Sequence, residues 1–145
     1  MIPMIPFAHR YRARGFAALA VLLLAGCAAP ALRCAGMAGK PMLTAELYFG
    51  RSVHGRRIDD VAWAGFLAEA VTPRFPSGLT VLDGYGQWRQ RSTGHVRSEP
   101  SSVVVIVTEP DDATLATLEA IRGEYRRRFE QQQVGLTLTQ TCGSF

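Results

Sequence analysis

Two hydrophobic periods, one of two residues and one of three to four, divide the chain into alternating kinds of segment. Over residues 45–52, Leu47 and Phe49 fall on one side and Glu46 and Tyr48 on the other, the pattern of a half-buried strand. A polar loop through His54, Gly55, Arg56 and Arg57 follows. Asp59 or Asp60 is then placed to cap a helix whose Trp63, Phe66, Leu67, Ala70 and Val71 share one face, and Pro73 stops it. Pro76-Ser77-Gly78 turns the chain into a second strand over residues 79–82, which Gly84 and Gly86 are expected to bend or bulge. Arg91-Ser92-Thr93-Gly94 reads as a hairpin loop, with a return strand from His95 that Pro100 is expected to interrupt. The unbroken β-branched run over residues 103–107 is that of a central strand buried on both faces. Asp111 or Asp112 caps a second helix with Leu115, Leu118, Ile121 or Arg122, Tyr125 and Phe129 inward, and Val134, Leu136 and Leu138 alternate in a last strand.

The order strand, helix, strand, strand, helix, strand predicts an α+β fold of the ferredoxin-like βαββαβ plan, a four-stranded antiparallel sheet with two helices on one face. That plan places the start of the first strand beside the end of the last, so Cys34 and Cys142 become neighbours. It also leaves one sheet face uncovered. The β-branched run puts Val or Ile on both faces, and Tyr48, Leu82, Thr137 and Thr139 can join the uncovered one, so that face is predicted to meet a ligand or a second copy of the chain as a homodimer.

Composition changes the picture mainly at the amino terminus. Arg10, Arg12 and Arg14 precede the apolar run over residues 16–24 and then Ala25-Gly26-Cys27, the charged, apolar, small-residue order of a secretory signal. The apolar run is too short for a spanning helix. Leu24-Ala25-Gly26-Cys27 resembles a bacterial lipoprotein box, which implies lipid on Cys27 and cleavage just before it. The expected division is a signal peptide over residues 1–26, a flexible Ala/Gly/Pro tether over 27–41, and one domain over 42–145. The expected location is the bacterial cell envelope, lipid-anchored and facing the periplasm; Ala28 after the cysteine resembles the pattern of proteins forwarded to the outer membrane. Removing the three leader arginines from a net charge of +4 leaves +1, so the basic balance gives no reason to expect nucleic acid as a partner. With Cys27 lipidated, Cys34 and Cys142 remain as an even pair in an oxidising compartment, and a disulfide between them is predicted.

Catalytic signatures are scarce. His54 and His95 stand alone, which argues against a metal site, and no motif calls for a cofactor. Gly84-Tyr85-Gly86 starts like a dinucleotide fingerprint, but Arg89 occupies the third glycine position and no helix follows. What remains is polar crowding on and near the 79–99 hairpin, from which Arg74, Tyr85, Gln87, Trp88, Arg89 and Glu99 are the candidate ligand-binding residues. The arginines offer planar donors and Trp88 a stacking face.

The stretches 46–51, 71–89 (Val-Thr-Pro-Arg-Phe-Pro-Ser-Gly-Leu-Thr-Val-Leu-Asp-Gly-Tyr-Gly-Gln-Trp-Arg), 97–103 and 121–129 resemble the bacterial DUF3574 family of lipoprotein-type proteins. The family's function is unknown, so the resemblance transfers no catalytic residue. The leading expectation is therefore a lipid-anchored binding module that uses the sheet face or the hairpin. The alternative is a small enzyme of the dimeric ferredoxin-like barrel type, with a pocket near Arg89 and Glu99.

Overall fold

A computed structural model describes Cys34, Gly36 and residues 38–145. The expected signal peptide, the expected lipidation site Cys27 and most of the expected tether lie outside the described residues. The elements are β1 (Lys40–Gly50), β2 (Ser52–Val53), β3 (Arg56–Arg57), α1 (Asp60–Phe66, continued by a π-helical turn over Leu67–Val71), β4 (Thr80–Arg89), β5 (Val96–Thr108), α2 (Asp112–Arg128) and β6 (Gly135–Gly143). The four long strands form one antiparallel sheet in the order β4-β5-β1-β6, while β2 and β3 make a separate two-stranded ribbon. This is the ferredoxin-like split βαβ arrangement, with β1 and β5 central. None of the described helices is long and apolar enough to cross a membrane.

Both helices lie on the face whose apolar stripe is fully buried. Ala45, Leu47 and Phe49 of β1 and Val104 and Ile106 of β5 meet Trp63, Phe66, Ala70 and Val71 from the first helix and Leu118, Ile121 and Tyr125 from α2. Phe49 sits among Trp63, Phe66 and Tyr125, with ring centroids 4.7–5.7 Å away in tilted or edge-on contacts that suit aromatic quadrupoles. Asp59 caps α1 by accepting from Ala62 N at 2.7 Å, and Asp111 caps α2 by accepting from Thr114 N at 2.6 Å. The cap at Asp111 sets the phase of α2: Thr114, Leu118, Ile121 and Tyr125 turn inward, while Leu115 is exposed.

Four local expectations are corrected. β1 begins at Lys40, so Lys40 and Pro41 belong to the sheet and not to the tether. Residues 40–42 pair only with β6, and pairing to β5 starts at Leu43. The register between β4 and β5 runs without a break from Thr80↔Val105 to Arg89↔Val96, so Gly84 and Gly86 make no bulge. Pro100 does not interrupt β5. Its carbonyl accepts from Arg51 N on the β1 side, and a strand residue points its N and its C=O to the same neighbour, so the missing N–H falls where the β1 ladder has ended at Gly50. The polar loop after β1 is a hairpin, with His54 (φ 49°) and Gly55 (φ 77°) as its two left-handed turn residues.

Cys34 and Cys142 form a disulfide with Cα atoms 5.7 Å apart, at the end of the sheet where Pro41 pairs with Cys142. The sheet face away from the helices carries Tyr48 (41% exposed) and Leu82 (53%), with Val103, Val105 and Val107 half-buried between them and Thr137 and Thr139 exposed beyond. Leu82, Val103 and Tyr48 are direct partners across three strands.

Candidate functional site

The hairpin of β4 and β5 projects past the helices, because its register continues five residues beyond the last β5 residue paired to β1. Alternation along β4 sends Tyr85, Gln87 and Arg89 to the helix side and Gly84, Gly86 and Trp88 to the open face. Tyr85 is 81% exposed and Trp88 49%, with Trp88 paired to Arg97. Gln87 Nε2 donates to Ser98 Oγ at 3.0 Å, a cross-strand bond. The Arg89 side chain is exposed and has no hydrogen-bonded or ionic partner among the described residues. His95 sits in the exposed tip, where its carbonyl accepts from Gln90 N at 2.9 Å.

Two of the sequence candidates are placed elsewhere. Arg74 follows the first helix, where it donates to Ala70 O and pairs with Glu124 at 3.2 Å. It precedes the start of β4, whereas Arg89 ends that strand, and nine strand steps separate the two ends by about 30 Å. Arg74 and Arg89 therefore cannot hold one small ligand. Glu99 turns to the base of the β2–β3 ribbon and accepts from Ser52 Oγ, while Gln131 Nε2 donates to Ser52 O at 2.7 Å. Its contacts serve loop anchoring.

A polar centre that the sequence candidates omit lies on the helix side of the sheet. Arg51 is only 3% exposed. Its Nη1 donates to Ser102 Oγ at 3.0 Å, and its Nη2 donates to Ile58 O at 3.2 Å and Asp60 Oδ1 at 2.9 Å. The guanidinium lies 4.7 Å from the Trp63 ring centroid, and its Nε has no partner. Ser102 Oγ in turn donates to Asp83 Oδ1 at 2.9 Å, linking the loop after β1 to β5 and β4. The hydrogen bond from Arg51, and then that from Arg57, holds the Asp60 carboxyl below its ordinary pKa. Nearby, Tyr125 donates from its hydroxyl to Gly50 O at 2.7 Å, and burial pushes its phenol well above the usual tyrosine range. The signal for this centre was present in the alternation. Arg51 continues the parity of Ala45, Leu47 and Phe49, Ser102 that of Val104 and Ile106, and Asp83 that of Val81.

On the open face, Glu46 accepts from Tyr48 OH at 2.8 Å and Thr137 Oγ1 at 2.9 Å, and these bonds, Tyr48's first, hold its carboxyl below the ordinary value. Among the described residues no three His, Cys, Asp or Glu side chains converge as a metal site requires. A cleft of about 660 Å³ lies at the other end of the sheet from the hairpin. Arg74 is the only sequence candidate that lines it.

A family described as "Protein of unknown function (DUF3574)" matches residues 44–145. A comparison with curated proteins finds no match to the chain. Among solved structures, a phage SAM lyase in complex with S-methyl-5'-thioadenosine is similar over 80% of this chain and 97% of its own, at 13% identity and a TM-score of 0.56. The apo state of a phage SAM lyase is similar over 76% of this chain and 87% of its own, at 15% identity and a TM-score of 0.55. At these identities the likeness is one of fold. A Bacillus subtilis GlnK–ATP complex is more distant, at 10% identity over 70% of this chain and 83% of its own, with a TM-score of 0.39.

Proposed function

The chain belongs to the DUF3574 family, whose function is unknown, and on that footing we propose that it is a lipid-anchored cell-envelope protein working as a binding module. Its contact surface is the open face of the sheet, extended by the 79–99 hairpin. One observation carries this reading: Leu82, Val103 and Tyr48 form a row across three strands, and Trp88 continues the same face, with Leu82, Tyr48 and Trp88 each about half exposed. Exposed apolar side chains gathered on one face of a rigid sheet are what a protein contact uses. A second copy of the chain is one partner that would suit the surface. The test is co-purification from detergent-solubilised envelopes, comparing wild type with Leu82→Glu. The variant should fold with an unchanged melting temperature, because Leu82 is outside the core, and should lose a partner that wild type retains. Equal recovery by both proteins would remove the sheet face from consideration.

The second reading, a small enzyme of the dimeric ferredoxin-like barrel type, draws on the fold likeness to a phage SAM lyase. It calls for a pocket near Arg89 and Glu99, and neither residue lines the cleft. Release of S-methyl-5'-thioadenosine from SAM by the purified protein would support it, and inert SAM would count against it.

A further inference from the structure

β6 is one of the two outer strands of the sheet, and its nine residues, Gly135–Gly143, include neither a charge nor a proline. Outer strands are ordinarily shielded from strand partners by charged side chains, proline, a bulge or a covering segment. β4, at the opposite edge, carries Asp83 and Arg89. β6 keeps an unbroken register with β1 from Lys40↔Gly143 to Tyr48↔Gly135, and among the described residues no other backbone group bonds to its outer side. The direction of its own backbone groups follows from a single bond. Arg51 N donates to Pro100 O on the β5 side, and successive residues of an antiparallel strand turn their N–H and C=O to opposite neighbours. The even-numbered residues of β1, among them Glu46 and Tyr48, therefore bond β6, where their partners are Thr137 and Gly135. Leu136, Leu138 and Gln140 are left with N–H and C=O directed away from the sheet.

In the middle of this row Leu138 is 43% exposed, and Leu115 of α2 is 39% exposed beside it. Their closeness follows from Arg122, whose Nη2 donates to Val134 O at 2.7 Å. α2 doubles back from β5, which runs the same way as β6, so α2 and β6 are antiparallel. Leu115 precedes Arg122 by two helical turns, about 10 Å, which along β6 is about three residues past Val134. Such an edge is recognised by an extended strand, and the strand it fits is its own copy. We propose that two copies of the chain pair β6 to β6 about a two-fold axis at Leu138, joining two four-stranded sheets into one. Antiparallel pairing there sets Leu138 against the partner's Leu138 and Leu136 against the partner's Gln140, so all three outward residues exchange N–H···O bonds. Thr137 meets the partner's Thr139 on the open face, and Leu115 of each copy flanks the two leucines on the helix side. With no charge anywhere on β6, no like charges oppose each other across the pair. One edge paired with itself also closes, whereas β6 on β4 would leave a free edge at each end and grow a filament. The contact uses the edge of the sheet and not its open face, so it stands or falls apart from the binding surface proposed above.

Sedimentation velocity of the full chain in detergent tests the pairing, with Leu138→Lys and Leu138→Glu as the variants. Wild type should be a dimer. Each variant alone should be a monomer, because like charges meet at the axis, and an equimolar mixture should re-form a dimer holding one of each. Leu82→Glu should stay dimeric. Amide exchange on wild type gives a reading that needs no substitution: the N–H groups of Leu136, Leu138 and Gln140 should be protected in the dimer and lose protection on dilution, while those of Thr137 and Thr139, bonded to β1, keep theirs. A monomeric wild type, which would leave the edge to a strand of another protein, would overturn the proposal. So would a dimer that Leu82→Glu dissociates and Leu138→Lys does not, a mixture no more dimeric than its components, or a dimer in which the amides of Leu136, Leu138 and Gln140 exchange freely.

Discussion

Replacing Arg51 separates the value of its hydrogen bonds from the cost of burying its charge. In the folded chain the guanidinium gives bonds to Ser102 and Ile58 and lies over Trp63, while its Nε is buried without a partner. Its ionic partner, Asp60, is exposed, so that pairing adds little. Arg51→Met removes two hydrogen bonds from a charged donor, about 1.5–3 kcal/mol each, and recovers a desolvation cost of several kcal/mol that offsets most but not all of that loss. The methionine thioether keeps a contact with the indole. The net loss is about 1–2 kcal/mol. Arg51→Lys keeps a charge in the same dry setting but cannot reach Ser102 and the Ile58 carbonyl together, because an ammonium lacks the planar fork. Its loss is about 3 kcal/mol or more. Urea unfolding followed by far-UV circular dichroism, with the disulfide intact, reads the difference. With an m-value of about 1.5 kcal/mol per molar, the midpoint should fall about 1 M for Met and about 2 M for Lys. A lysine variant as stable as wild type, or a methionine variant less stable than the lysine one, would refute the reasoning.

Three further outcomes are expected. Radiolabelled fatty acid should enter wild type and not Cys27→Ala, and equal labelling of both would dispose of lipid attachment at that residue. Replacing Cys34 and Cys142 together by alanine reopens a span of 108 residues, and the chain-entropy model sets the loss at no more than about 4–5 kcal/mol; an unchanged urea midpoint would mean that the bridge adds nothing to stability. Because the folded Asp60 carboxyl is depressed below its ordinary 3.8, the stability it contributes is present above that value and lost as pH falls through its folded one. Between about pH 5 and about pH 2, wild type should therefore lose stability more steeply than Asp60→Asn, and parallel urea midpoints across that range would contradict the assignment.

The order of the long strands and helices was legible because each element announces its own period. Leu47 and Phe49 alternate, Trp63, Phe66 and Ala70 recur every three to four residues, and residues 103–107 run unbroken. The bulge expected at Gly84 and Gly86 and the break expected at Pro100 were not, because a glycine or proline states what the backbone permits locally. Whether a ladder tolerates it depends on which neighbour the residue faces. Pro100 is accepted because its nitrogen faces the side where β1 has ended.

The crowded stretch over residues 71–89 looked like one site because its residues are close in sequence. Once Thr80–Arg89 is a straight strand, Arg74 is carried to one end of the sheet and Tyr85, Trp88 and Arg89 toward the other. Arg51, Ser102 and Asp83 show the converse, being distant in sequence and joined in space. Their parity with the core stripe was readable, but a charged side chain at a buried position is easily taken for the end of a strand, since burial without partners is costly and the partners come from other strands.

The proposed role rests most directly on whether the open sheet face is in contact with something in the native envelope. A photo-crosslinking amino acid placed at Leu82, with another at Ala120 on the exposed side of α2 as the control, should be irradiated in intact cells and the products resolved by mass. The account predicts a discrete cross-linked species from Leu82, to a second copy or to another envelope component, and none from Ala120. Cross-links of equal yield from both positions, or none from Leu82, would contradict it.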